Sequence, residues 1–307
     1  MASSPAFLNL SEQLSDRVEP RIVLFGAGHG STYQGSDSSG HAMAPDAIRQ
    51  ASLEDAELVT HWDFDLGGPL FNGGPISCID IGDLPLQTSD GEANRTLIEQ
   101  TTRDILSNHA VPILLGGDDS TPIPFLAAFD GHGPVWILQI DAHIDWRDEV
   151  HGSRYGYSSP MRRASEMPHV AGMVQVGLRS VGSARVEEVE ARGLERVLDL
   201  GLGRKDAEVF EHVADFVRVE LVRSAFLHVR LHAPALERGA QQDAVVVVAA
   251  DRVLAHVVGH VGLDGDRRLV IVVAAAVVAA AFSFLRTLVN HEAAAATVAA
   301  AAAIAGG

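Results

Sequence analysis

The 307-residue chain carries 23 basic and 40 acidic side chains, a formal charge of −17, which would repel a phosphate backbone and argues against nucleic acid as a partner. That length suffices for one large α/β domain with a full core. The lone cysteine, Cys78, excludes an internal disulfide and suits a reducing compartment. Residues 1–20 lack a basic stretch followed by an apolar one, so the expected location is the cytoplasm.

In chain order, Arg21 to Phe25 is a short apolar run that ends in Gly26-Ala27-Gly28-His29-Gly30, the pattern of a strand delivering a loop. This turn lacks the spacing of a dinucleotide-binding loop. Pro45-Asp46-Ala47-Ile48-Arg49 reads as a helix start, with proline early and an acid in the first turn. A second strand is predicted over Ile76 to Ile81, a helix over Asn94 to Asn108, and a buried strand over Val111 to Leu115. Gly116-Gly117-Asp118-Asp119-Ser120 follows, then a helix from about Pro122 and a strand over Val135 to Ile140. Asp118 and Ser120 read as caps for the helix that Pro122 starts, and Arg162-Arg163 as a pair on a helix surface. Alternating strands and helices predict a mostly parallel sheet covered on both faces, a three-layer α-β-α arrangement. Both acidic clusters follow strands, so both belong at the carboxyl rim where such sheets bind ligands.

In Asp141-Ala142-His143-Ile144-Asp145, three potential ligands stand at alternate positions after an apolar strand. If the segment stays extended, all three point to one side. Carboxylates mixed with imidazole suit manganese better than a thiolate-loving metal. A second reading makes Asp141 and Asp145 helix caps and His143 an ordinary buried histidine.

The ordered series GHAMAPDAIR, DIGDL, GGDDS and DAHID, spanning roughly residues 21–185, resembles the ureohydrolase superfamily of arginases and agmatinases, and specifically its agmatinase-like branch. The resemblance implies an arginase-like fold and hydrolysis of agmatine or a related guanidino compound to urea and an amine, within polyamine metabolism. Two Mn2+ ions would share a bridging hydroxide, Asp141 would bridge both ions, and His143 and Asp145 would each complete one shell. Asp119 stands where the family commonly has histidine and is the candidate fourth ligand. The family's proton-donating histidine aligns with Tyr157, so His151 nearby is the candidate to replace it. His29 and Tyr33, in the loop after the first strand, are candidates to line the substrate entrance. The implied partner is a small cationic guanidino substrate, with no membrane; relatives are usually homo-oligomers.

Beyond about residue 185 the likeness fades. Tyr157 is the last tyrosine, no tryptophan follows it, and Val245 to Ala250 and Ala293 to Ala303 are nearly monotonous. The chain is therefore divided into a metal-motif region, 1–190, and a divergent Ala/Val-rich region, 191–307, whose part of the fold is expected to be incomplete. The family's third motif, rich in aspartate, is missing; Asp264-Gly265-Asp266 is its nearest echo, and these acids and Asp251 read as exposed turn residues. The joint loss fits a tail translated in a shifted frame from near codons 186–200. Such a tail would leave a metal-binding relic without turnover as the alternative function. Leu269 to Leu285 is apolar but at the lower edge of a membrane span, and reads better as a buried helix or strand pair.

Overall fold

The computed structural model describes residues 5–11, 22–36, 39–62, 69, 78–141, 143–176, 197–200, 245–250 and 268–274. Eight strands form one sheet: β1 Ile22–Ala27, β2 Cys78–Asp83, β3 Val111–Gly116, β4 Val135–Ile140, β5 Val170–Val176, β6 Val197–Leu200, β7 Val245–Ala250 and β8 Arg268–Ala274. Their order is β2-β1-β3-β7-β8-β4-β5-β6. All pairings are parallel except the two made by β7, which runs against β3 and β8. Two reversals restore direction, so β1, β3 and β4 all end at the same edge of the sheet.

The helices are α1 Ser39–Ala42, α2 Ala44–Ser52, α3 Gly91–Ser107, α4 Pro122–Ala127 and α5 Pro160–Ala164. Helix α3 starts because the Asp90 carboxylate accepts a hydrogen bond from the Ala93 amide at 3.0 Å. It buries Ile98, Ile105 and Leu106 against Val23, Phe25, Leu114 and Ile137 of the sheet and Phe125 of α4. Each such side chain contributes roughly 1.5–3 kcal/mol by leaving water. Strand alternation sends Leu24, Ile113 and Leu115, all 0–1% exposed, to the other face, where α2 packs on β1 and β3.

The GHAMAPDAIR and DIGDL blocks meet inside this second layer. Arg49 of α2, 1% exposed, pairs with Asp80 through Nε at 2.7 Å and Nη2 at 2.9 Å, and through Nη1 with Asp83. Asp80 also accepts from the Phe7 amide at 2.8 Å and the Gly82 amide at 3.0 Å. A buried carboxylate with four donors is fully satisfied, so these motif residues lock the N-terminal segment, α2 and β2 together.

Arg162 and Arg163 are not on the surface as the charge pair suggested. They are 6% and 5% exposed, because Asp148 and Glu166 fold over their guanidinium groups. The tail supplies three strands, and β7 and β8 lie in the middle of the sheet between β3 and β4. Of the apolar run 269–285, residues 269–274 lie in β8 and the remainder is outside the described residues. Asp251, Asp264 and Asp266, the run 293–303 and most of the stretch around 186–200 also lie outside them. Among the described residues no helix is long and apolar enough to cross a membrane.

Candidate metal centre

Two loops build the site. The turn after β3 carries Asp118 and Asp119, and the segment after β4 carries Asp141 to Asp145. A Cβ on Gly117 would stand 2.1 Å from the Gly28 carbonyl oxygen, so only glycine lets the β3 loop approach the β1 loop this closely. Asp118 does more than cap a helix. Its Oδ1 accepts from the Ser120 amide at 2.9 Å, from the Ser120 hydroxyl and from the Gly30 amide at 3.5 Å, while the Ser31 amide donates to Ser120 Oγ. These bonds fix the turn that presents Asp119.

Asp119, Asp141 and Asp145 each offer a carboxylate oxygen, and these atoms all lie within 4.8 Å of one another. Asp141 and Asp145 are 8% and 7% exposed. Behind them stands Gln139, whose Nε2 donates to Asp145 Oδ2 at 2.7 Å and Asp141 Oδ2 at 3.3 Å. Gln175 on β5 donates to Gln139 Oε1 and to the Ile144 carbonyl at 3.0 Å, which fixes the amide's orientation. Both glutamines were missed in the sequence. Their signal is a polar residue inside an apolar strand, with Gln139 two positions before Asp141 and so on the same side.

Burial, and then the charges of Asp119 and Asp141, hold the Asp145 carboxyl well above the usual carboxylate range, although the Gln139 amide favours its ionised form. Hard oxygen donors of three carboxylates gathered around a shared point fit a divalent cation of the manganese or magnesium type.

His143 does not join them. Its side chain is 76% exposed, and Nδ1 lies 3.4 Å from Asp141 Oδ1 at the outer side of the group. The extended geometry that would align 141, 143 and 145 stops at Ile140. Asp145 has φ +50°, so the period-two rule fails across the segment. The His143 amide donates to Asp141 Oδ1 at 2.8 Å, tightening this turn.

The remaining candidates collect at the same rim. Tyr33, 4% exposed, packs edge-on to Tyr157, ring centroids 4.4 Å apart, and its ring centroid lies 6.3 Å from that of His151. Its hydroxyl accepts from the Ser158 amide at 3.3 Å. His151 is exposed and Tyr157 is 39% exposed. His29 is 5% exposed, and its Nδ1 lies 4.0 Å from Asp118 Oδ2 with no hydrogen bond formed by either atom. Burial holds the His29 imidazole below its ordinary pKa, opposed by Asp118. This deep position puts His29 behind the metal loop rather than at an entrance.

The family model for the arginase family matches residues 20–224, past the last of the sequence motifs. Proclavaminate amidinohydrolase of Streptomyces clavuligerus is 28% identical over 214 residues, 66% of this chain and 65% of that protein. A solved structure of that enzyme matches with TM-score 0.53 and 26% identity, covering 71% of this chain and 69% of the other. Guanidinobutyrase of Pseudomonas aeruginosa is 31% identical over 147 residues, 47% of this chain and 44% of that protein. The chain thus spans 65% and 44% of the length of these two curated relatives. Agmatine ureohydrolase of Thermoplasma volcanium shares the fold, with TM-score 0.51 at 22% identity over 68% of this chain and 67% of that one.

Proposed function

Because the chain belongs to the arginase family, we propose that it is a metal-dependent hydrolase that releases urea from a small guanidino compound. The observation that carries this reading is the convergence of Asp119, Asp141 and Asp145 within 4.8 Å at the carboxyl rim. These three would hold divalent metal, with Mn2+ the best match to their oxygen donors and two ions expected from the family. A bound divalent ion lowers the pKa of nearby water and so supplies a strong nucleophile at neutral pH.

A guanidinium group is planar, delocalised and always charged, which makes its carbon a poor electrophile. The protein's task is therefore to hold that plane against the acidic centre. The exposed ring of Tyr157, held edge-on by the buried Tyr33, would offer a π surface for a cation on the rim side. His151, whose ring centroid lies 6.3 Å from that of Tyr33, would carry a proton to the departing amine. Gln139, oriented by Gln175, fixes the carboxylates without competing for the cation.

A second reading, a metal-binding relic without turnover, draws on the outward ring of His143, which leaves three acids as the inner donors among the described residues. The test is to load the purified protein with Mn2+, count the metal, and assay urea release from agmatine and 4-guanidinobutyrate. Two ions per chain with urea formation are expected. One weakly held ion and no urea would favour the relic.

A further inference from the structure

We infer that Arg95 reads a carboxylate on the far end of the substrate, so that the site prefers guanidino carboxylic acids to guanidino amines; this rests on the proposed hydrolase reading and narrows it. Arg95 sits near the start of α3, half-buried, at the rim that carries the acids. Its guanidinium carbon lies 4.2 Å from the centroid of the Tyr155 ring, and Nη1 donates to Ser31 Oγ. The Ser31 amide in turn donates to Ser120 Oγ, and Ser120 follows Asp119 directly. Two hydrogen bonds therefore tie this cation to the turn that presents the metal-binding carboxylate.

Its partners set it apart. Arg49, Arg103, Arg162 and Arg163 each pair with a carboxylate. Among the arginines whose side chains are described, Arg95 is the one half-buried or buried that pairs with no carboxylate, in a chain with a large acidic excess. Half-burial of an unpaired cation is costly, whereas a cation held by an aromatic face and one hydroxyl is already oriented. Nε and Nη2 remain as donors, the fork that grips a carboxylate through two parallel bonds. The same positive charge repels a terminal ammonium. A ligand with a guanidinium at one end and a carboxylate at the other would put the first against Asp119, Asp141 and Asp145 and the second against Arg95.

Agmatine and 4-guanidinobutyrate test this directly, since they share the guanidinium end and nearly the same chain and differ in the terminal charge. In the Mn2+-loaded protein, kcat/KM for urea release should favour the acid. Arg95→Gln should cut kcat/KM for the acid by about 10- to 100-fold, the size of one charge-assisted hydrogen bond, mainly through KM. Agmatine, freed of the repelling charge, should gain by up to roughly threefold, and Arg95→Lys should restore part of the acid's advantage by returning the charge without the fork. Preference for agmatine in the wild type, or equal losses for both substrates in Arg95→Gln, would overturn the inference. If neither substrate yields urea, the hydrolase reading fails by itself. Calorimetric binding then decides on Arg95, which stands if the acid binds the wild type and loses affinity in Arg95→Gln, and falls if the acid does not bind or binds both alike.

Discussion

Replacing Asp145 with asparagine should make the metal-free protein more stable, and do so only at neutral to alkaline pH. Two unit charges 4.8 Å apart repel by about 3.5 kcal/mol at an effective dielectric constant of ~20. Ionised Asp145 would face Asp119 and Asp141 together, roughly 7 kcal/mol, a large share of the ~5–15 kcal/mol that holds a domain folded. Protonation is the cheaper escape. Because the folded-state pKa is raised, the proton-linked stability is fully present below the unfolded value of about 3.9 and is lost as pH climbs through the folded value. Keeping the proton at pH 8 costs at most about 1.4 kcal/mol per unit above 3.9, a ceiling of about 5–6 kcal/mol. Asparagine has the shape of the protonated acid, can still accept from Gln139, and pays no such cost. Urea denaturation in EDTA should thus show the variant more stable than the wild type at pH 8, by no more than that ceiling of about 5–6 kcal/mol, and close to equal at pH 4. Mn2+ at 100 times its Kd should add about 2.7 kcal/mol to the wild type and much less to the variant. A variant that is equally or less stable at pH 8 without metal, or whose gain is the same at pH 4, would refute the reasoning.

Other expectations follow from single contacts. Arg49→Met leaves Asp80 buried without its cation and should cost about 3–5 kcal/mol in chemical denaturation, while an exposed change such as Arg147→Gln should move stability by less than about 0.5 kcal/mol. Gly117→Ala drives a methyl into the Gly28 carbonyl and should lower both the melting temperature and Mn2+ affinity, because the Asp119 turn must retreat. The Cys78 thiol is 4% exposed, and burial with Asp80 nearby pushes its pKa up; a thiol reagent should titrate none in the native protein and one after denaturation.

Much of the site could be read from sequence because its causes are local. The runs before Gly28, Asp118 and Asp141 are apolar, are stopped by glycine or aspartate, and form β1, β3 and β4. Parallel strands then bring their ends to one rim. Where the reading failed, the cause was not local. His143 turns outward because the chain leaves the sheet at Ile140 and passes through a left-handed Asp145, which an alternation rule cannot anticipate. Gln139 and Gln175 look like blemishes in apolar strands until the carboxylates they hold are seen together. Arg162 and Arg163 are buried by acids from outside their helix as well as within its own turn, so charge alone misplaced them. The block 245–250 reads as merely monotonous in the sequence, and nothing in such a run tells its place or direction, yet it forms β7, the strand that runs antiparallel.

The proposed chemistry needs divalent metal among Asp119, Asp141 and Asp145. Titrating the metal-free protein with Mn2+ by electron paramagnetic resonance tests this most directly, comparing wild type with Asp119→Asn, Asp141→Asn and Asp145→Asn. Tight uptake by the wild type, weakened at least tenfold by each substitution, is the predicted result. Uptake that is unchanged in all three variants would contradict it.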